Sequence, residues 1–271
     1  MELFEFNFFQ NALLMGLLLA GLFGMLSFFV VLRKMAFLGA GIAHTAFGGV
    51  AIGVVLGINP FFTALGFCLL SALIVSKIVR LGHVSFDTGI GIFFSFSMAL
   101  GALLISLRKA YTFDLSGYLF GNILGITTFD LIMVTAAACL FGLFIWFSFH
   151  KLLFMSFEEN MARVSGVNAD LLDTILLSFL ALIIVISIKV VGIILVSALV
   201  VLPASFGQLW TMDYRKVILV SLIYAVFILL GGLILSYFLD TPPGATIVVL
   251  GTTVYFLVLA GKNSLIKTGL S

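Results

Sequence analysis

The stretch Phe37-Leu38-Gly39-Ala40-Gly41-Ile42-Ala43-His44-Thr45-Ala46-Phe47-Gly48-Gly49 sets one histidine inside an apolar run, rich in glycine and alanine, that extends over residues 36–58. A run of that length crosses a hydrocarbon core of about 30 Å as one helix. Only a helix or a closed barrel satisfies its backbone polar groups at that depth, so the segment reads as a transmembrane helix. A titratable imidazole is costly there, which makes His44 a candidate functional residue. On a helix it shares a face with Ala40, Gly41, Gly48 and Ala51. Small residues on that face suit either close helix packing or a narrow cavity, and the sequence leaves both open.

The rest of the chain extends this reading. It is 63% hydrophobic and 9% charged, with a mean hydropathy of +1.35; a soluble domain carries about 25% charged residues. The fold class is all-α, a polytopic transmembrane helical bundle. Nine apolar stretches qualify as spans: 11–32, 36–58, 60–76, 88–107, 131–149, 171–188, 190–210, 217–239 and 243–261. The interruption at Lys189 is thin, so an eight-span chain with the sixth and seventh stretches merged is the alternative. No linker or low-complexity tract divides residues 1–271, which read as one membrane domain. The first span lacks a preceding basic region and ends in Arg33-Lys34, as a retained span does.

Charge sets the orientation. With nine spans and the N-terminus outside, Lys and Arg at 33, 34, 77, 80, 151, 163, 215, 216, 262 and 267 face the cytoplasm, leaving 108, 109 and 189 outside. The C-terminus is then inside. The net charge of +2 is spread over loops rather than gathered in a patch, so nucleic acid is not an expected partner. Cys68 and Cys139 fall mid-span, where a small buried hydrophobe is the expected role and a disulfide is not.

Two segments lie between spans. Residues 110–130 place Leu115, Tyr118, Leu119, Phe120, Ile123 and Leu124 on a near-helical pattern too short to cross twice, which predicts a re-entrant or interfacial helix. Residues 151–173 form the longest polar interruption. Within it, residues 157–164 carry Phe157, Met161 and Val164 on one helical face and charges on the other, and Gly166 suits the stop. That helix either lies on the bilayer or docks a soluble partner.

Asp87, Asp114 and Asp130 each stand just before an apolar helical stretch, where capping is the favoured role. Asp240 precedes Thr241-Pro242-Pro243-Gly244 at a turn where proline preorganises the next helix. The chain holds no Gly-x-x-x-x-Gly-Lys-Ser/Thr phosphate loop, no His-Glu-x-x-His and no Gly-x-Ser-x-Gly. It is therefore not expected to be an enzyme, and uphill movement would draw on a partner or a gradient.

The 37–49 segment, Asp87-Thr88 with Gly89 and Gly91, Tyr118 to Asn122, Arg163 to Val167, Val191-Gly192 through Leu202-Pro203-Ala204, and Asp240 to Gly244 occur in an order and spacing that resembles a known family. These are the membrane permeases of bacterial ATP-binding-cassette importers for zinc, manganese and iron. The resemblance implies a permease in the bacterial inner membrane, paired with a second copy or a paralogue. It also implies a cytoplasmic ATPase dimer and an extracytoplasmic metal-binding protein as partners. It assigns a substrate path to His44, Asp87 and Asp240, with His44 a transient metal ligand. Phe157, Glu158, Glu159, Met161, Arg163 and Gly166 become a coupling helix. No cofactor is implied beyond the divalent metal being transported, zinc first and manganese or iron next. Many members carry an aspartate four residues before the histidine; here that position is Ala40, and Asn122 stands where some relatives have an aspartate. A gradient-driven secondary transporter or channel is the competing class. Mid-membrane acidic pairs and internal repeats, which would favour it, are not evident.

Overall fold

The computed structural model describes residues 7–82, 84–108, 117, 121 and 125–267. The elements are α1 (Asn7–Leu32), α2 (Ala36–Leu56), α3 (Pro60–Arg80), α4 (Phe86–Arg108), α5 (Thr128–Phe157), α6 (Glu159–Val164), α7 (Ala169–Leu199), α8 (Leu202–Trp210), α9 (Tyr214–Leu239) and α10 (Pro243–Lys267). Most of the re-entrant helix expected over 110–130, Asp114 included, lies outside the described residues.

Helix ends follow local chemistry. Asn59 caps α3 ahead of Pro60, and Asp213 caps α9 through the Arg215 amide. At the start of α5, Thr127 and Asp130 cap each other's backbone amides reciprocally. Asp130 therefore sits inside the first turn rather than before it. Pro243 opens α10, in line with the expectation from Pro242-Pro243.

Among the described residues eight segments can cross a membrane by length and apolarity, and one of them, Ala169–Trp210, has 42 residues. As a straight helix it would run about 63 Å, twice a bilayer core. It is not straight, because Gly192 has φ 81° and ψ 166°. Contacts on either side show what this break does. Phe29 packs on Phe149, and Arg33 donates to the Met155 carbonyl, so α1 and α5 run parallel. Asp173 meets Arg33 at one end of that pair, whereas Lys189 meets Asp130 at the other. Residues 169–191 thus traverse the bundle.

The chain then returns. Gly16 faces Leu230 and Gly24 faces Leu222, so α9 is antiparallel to α1 and begins at the Arg33 end. There Tyr214 lies 6.0 Å from Phe149, ring centre to ring centre. Residues 193–210 must therefore cross back, and Val200 packs on Gly39 near the start of α2 on the way. The described helices make nine passes, and the reversal falls at Gly192, three residues beyond the Lys189 break expected from sequence. α10 packs antiparallel to α9 through Gly232 on Ile247 and Tyr224 on Gly251, so α1 starts and α10 finishes at opposite ends.

Most of α7 is buried, with Leu176, Leu180, Ile184 and Val196 at 1% exposure or less, and it forms the centre of the bundle. α4, α5 and α10 turn large apolar residues outward, among them Phe96, Trp146 and Phe256, as lipid-facing helices do. Cys68 is buried, but Cys139 is exposed on this outer face and neither is bonded, which corrects the expectation that both are buried.

The α2–α3 crossing depends on a missing side chain. A Cβ on Gly49 would lie 2.6 Å from the Ala64 Cα and 2.9 Å from the Phe67 Cβ. Backbone cannot yield as a rotamer can, so Gly49→Ala is expected to destabilise the protein by about 1–3 kcal/mol. Gly66→Ala in α3, with nothing within 4 Å, is the control and is expected to be neutral or stabilising. Thermal unfolding in detergent checks both; equal midpoints for the two variants would contradict the crossing.

Candidate functional site

The small-residue face of α2 is a packing seam. Gly41 lies against Ile90 and Gly48 against Ser97, so α4 runs parallel to α2 at close range. His44 sits on that seam, edge-on to Phe94 with ring centroids 5.3 Å apart, and is half-buried. Between the two readings left open by the sequence, the glycines serve packing, and the imidazole occupies the rim.

The other two expected path residues are far from it. Asp87 is exposed in the first turn of α4, at the Arg33 end, where the Ser85 hydroxyl accepts the Thr88 amide and does the capping. Asp240 is exposed at the opposite end, ending α9 with φ 51°. His44 lies between these ends, and the three do not meet. Among the described residues no three His, Cys, Asp or Glu side chains converge as a metal site would require. A cavity of about 270 Å³ lined by Ala46, Val50, Asn59, Pro60 and Lys189 lies near the Asp130 end. Ala46 and Val50 place it on the face of α2 opposite His44.

The 151–173 segment is mostly helix. α5 continues to Phe157 and α7 begins at Ala169, so only α6 and its flanks stand between them. The sequence expectation of a helix over 157–164 is corrected accordingly: Phe157 ends α5, Glu158 breaks the chain at φ −141° and ψ 80°, and α6 starts at Glu159. Gly166 has φ 85°, and the Val167 amide reaches back to the Ala162 carbonyl, closing the helix. Phe157, Met161 and Val164 are 60%, 61% and 87% exposed, so the apolar side chains of this tip point away from the bundle.

Its charged side is bound inward. Glu159 lies 3.1 Å from Arg33 and 2.9 Å from Arg163, and Arg163 lies 2.6 Å from Asp170. Burial pushes the Glu159 carboxyl up, but the hydrogen bond from Arg163 and the charge of Arg33 outweigh it and hold the group below the usual glutamate range. Sequence reasoning missed this network. Arg33 was read only as part of a topology signal and Asp173 only as the end of a loop, and 140 residues separate them. No local pattern signals such a pair. The Lys189–Asp130 contact was missed for the same reason, because Asp130 has a sufficient local role as part of a cap.

Nine helical passes among the described residues, two of them from a buried broken helix, define a polytopic α-helical membrane protein. More narrowly, the chain belongs to the ABC 3 transport family, whose model matches residues 5–262. It is 34% identical over 268 residues to the manganese import system permease protein ScaB of Streptococcus gordonii, covering 98% of this chain and 96% of that one. Identity to the high-affinity zinc uptake system membrane protein ZnuB of Buchnera aphidicola is 31% over 245 residues, covering 90% and 94%. A chain of the solved structure of PsaBC from Streptococcus pneumoniae in complex with Fab superposes with a TM-score of 0.81 at 32% identity, covering 95% of this chain and 92% of that chain.

Proposed function

We propose that this chain is the membrane permease of an ATP-binding-cassette importer that carries a divalent transition-metal ion into the bacterial cytoplasm. The observation that carries the proposal is the family match over residues 5–262, together with near full-length relatives named as manganese and zinc permeases. The chain has no phosphate loop, so ATP hydrolysis falls to a separate ATPase pair. Zinc suits a lone imidazole better than manganese does, since manganese favours oxygen ligands. Manganese is the competing cargo, as in the relative from Streptococcus gordonii.

The remaining assignments have their own support. Arg33, Lys34, Arg80, Arg163, Arg215 and Lys216 cluster at one end of the nine passes, which supports a cytoplasmic Arg33 end, an external N-terminus and an internal C-terminus in the inner membrane. The exposed Phe157, Met161 and Val164 support α6 as the helix that seats in an ATPase groove. Glu158 and Glu159 divide differently from the sequence reading: Glu158 is exposed at the tip, while Glu159 anchors it. A half-buried His44 that joins no cluster of three potential ligands among the described residues supports a path completed by a second copy. Ions reach it from an extracytoplasmic binding protein at the Asp240 end. Weak ligation suits a conduit, because an ion held tightly would not leave.

Affinity purification of the chain co-expressed with a candidate ABC ATPase from the same organism, followed by zinc and manganese uptake into proteoliposomes, tests this. Retained ATPase and ATP-dependent uptake are expected. Uptake driven by an ion gradient without ATP, with no ATPase retained, would replace the proposal with a secondary transporter.

A further inference from the structure

α6 has six residues, and Ala162 is its one buried residue. Beyond that residue its hold on the bundle is polar and has two parts, an exposed pair from Arg163 to Asp170 of α7 and a buried tie to Arg33. The guanidinium is 8% exposed and its fork is filled. Nε and Nη2 donate to the two carboxylate oxygens of Asp173 at 3.1 and 2.5 Å, while Nη1 donates to Glu159 at 3.1 Å and to the Met155 carbonyl at 3.0 Å. One side chain thus ties the end of α5, the first residue of α6 and the start of α7 to the α1–α2 corner.

That corner is stiff. The amides of Arg33, Lys34 and Met35 bond back to the carbonyls of Phe29, Val31 and Val30, and Lys34 holds φ 56°. α2 begins at Ala36 immediately after it. His44 stands eight residues further on, about 12 Å along the axis. By contrast, the chain from α6 to α7 passes through Ser165, Gly166, Val167 and Asn168, which are not helical.

We propose that Arg33 is the positioning residue through which displacement of α6 reaches α2, the helix that carries His44. The inference rests on the reading of α6 as the ATPase-facing helix and adds the route by which its motion arrives. A planar guanidinium holds two carboxylates and a carbonyl in one fixed geometry, whereas the single ammonium of a lysine cannot bridge them. Charge alone is therefore not sufficient, and Arg33→Lys is an informative variant.

Two measurements test it. The first uses the chain alone in detergent, comparing thermal unfolding of Arg33→Gln, Glu159→Gln and the double variant. The double is expected to lose less than the sum of the singles, and strict additivity overturns the link. The second uses the ATPase-bound complex in proteoliposomes. Arg33→Lys is expected to retain the ATPase and its hydrolysis while metal moved per ATP falls about tenfold, within the range that such network changes reach. An unchanged ratio in an assembled complex overturns the transmission alone. A wild-type chain that retains no ATPase overturns the reading of α6 as well, and the unfolding cycle still reports on the link.

Discussion

Gly192→Ala is expected to collapse the yield of folded protein, because this residue turns one 42-residue apolar segment into two membrane passes. Its φ of 81° and ψ of 166° fall in a region that is essentially restricted to glycine, where another residue costs about 1–3 kcal/mol of strain. Strain is only the first part of the effect. If the strain relaxes toward helical geometry, the return pass swings away, and contacts made beyond the turn go with it. Val200 leaves Gly39, the Leu209 carbonyl loses the Lys262 ammonium, and α9 no longer starts beside Phe149. Gly121 closes the same corner from outside. A Cβ there would lie 2.4 Å from the Gly192 amide nitrogen and from the Val191 carbonyl carbon, and its own φ is 74°. Gly121→Ala is thus expected to match Gly192→Ala in direction. Gly142→Ala, on the open face of α5, should leave the protein intact. The readouts are monodisperse yield and thermal midpoint in detergent. A Gly192→Ala protein with the wild-type midpoint would mean that the reversal does not depend on this residue.

The reversal shows where sequence reading succeeds and where it stops. Hydropathy located both passes, because each needs its own apolar length whatever joins them. It placed the junction at Lys189, the one basic residue in the segment. The chain instead turns where backbone geometry allows, at a glycine among valines and isoleucines, and Lys189 is carried in the first pass to meet Asp130. The tip was legible in a similar way. The spacing of Phe157, Met161 and Val164 identified an apolar face, and that face is exposed. Its anchor was not legible, because Glu159 and Arg163 look like an ordinary i, i+4 surface pair until Arg33 arrives from 126 residues away. The expected substrate path drew least on the residues themselves. His44 could be singled out from the cost of burying it, but Asp87 and Asp240 were joined to it by resemblance, and the fold holds them at opposite ends.

His44→Ala is expected to reduce metal uptake by on the order of tenfold or more, while folding and ATPase retention persist. Folding should survive because the imidazole is only half-buried, at the rim of the α2–α4 seam with Phe94 edge-on. The seam's close contacts belong instead to Gly41 and Gly48. Uptake should fall because no other His, Cys, Asp or Glu cluster among the described residues can take over ligation. Ala40 makes the companion experiment decisive. It lies one helical turn before His44 on the same face and is also half-buried, so Ala40→Asp adds a carboxylate at i−4 without opening a cavity. An oxygen donor beside the nitrogen suits manganese better than nitrogen alone does. In proteoliposomes supplied with both ions, the manganese-to-zinc uptake ratio of Ala40→Asp is expected to rise several-fold over wild type. The same carboxylate in a His44→Ala background should not restore zinc. If His44→Ala transports normally, or if Ala40→Asp leaves the ratio unchanged, the ion does not pass along this face of α2.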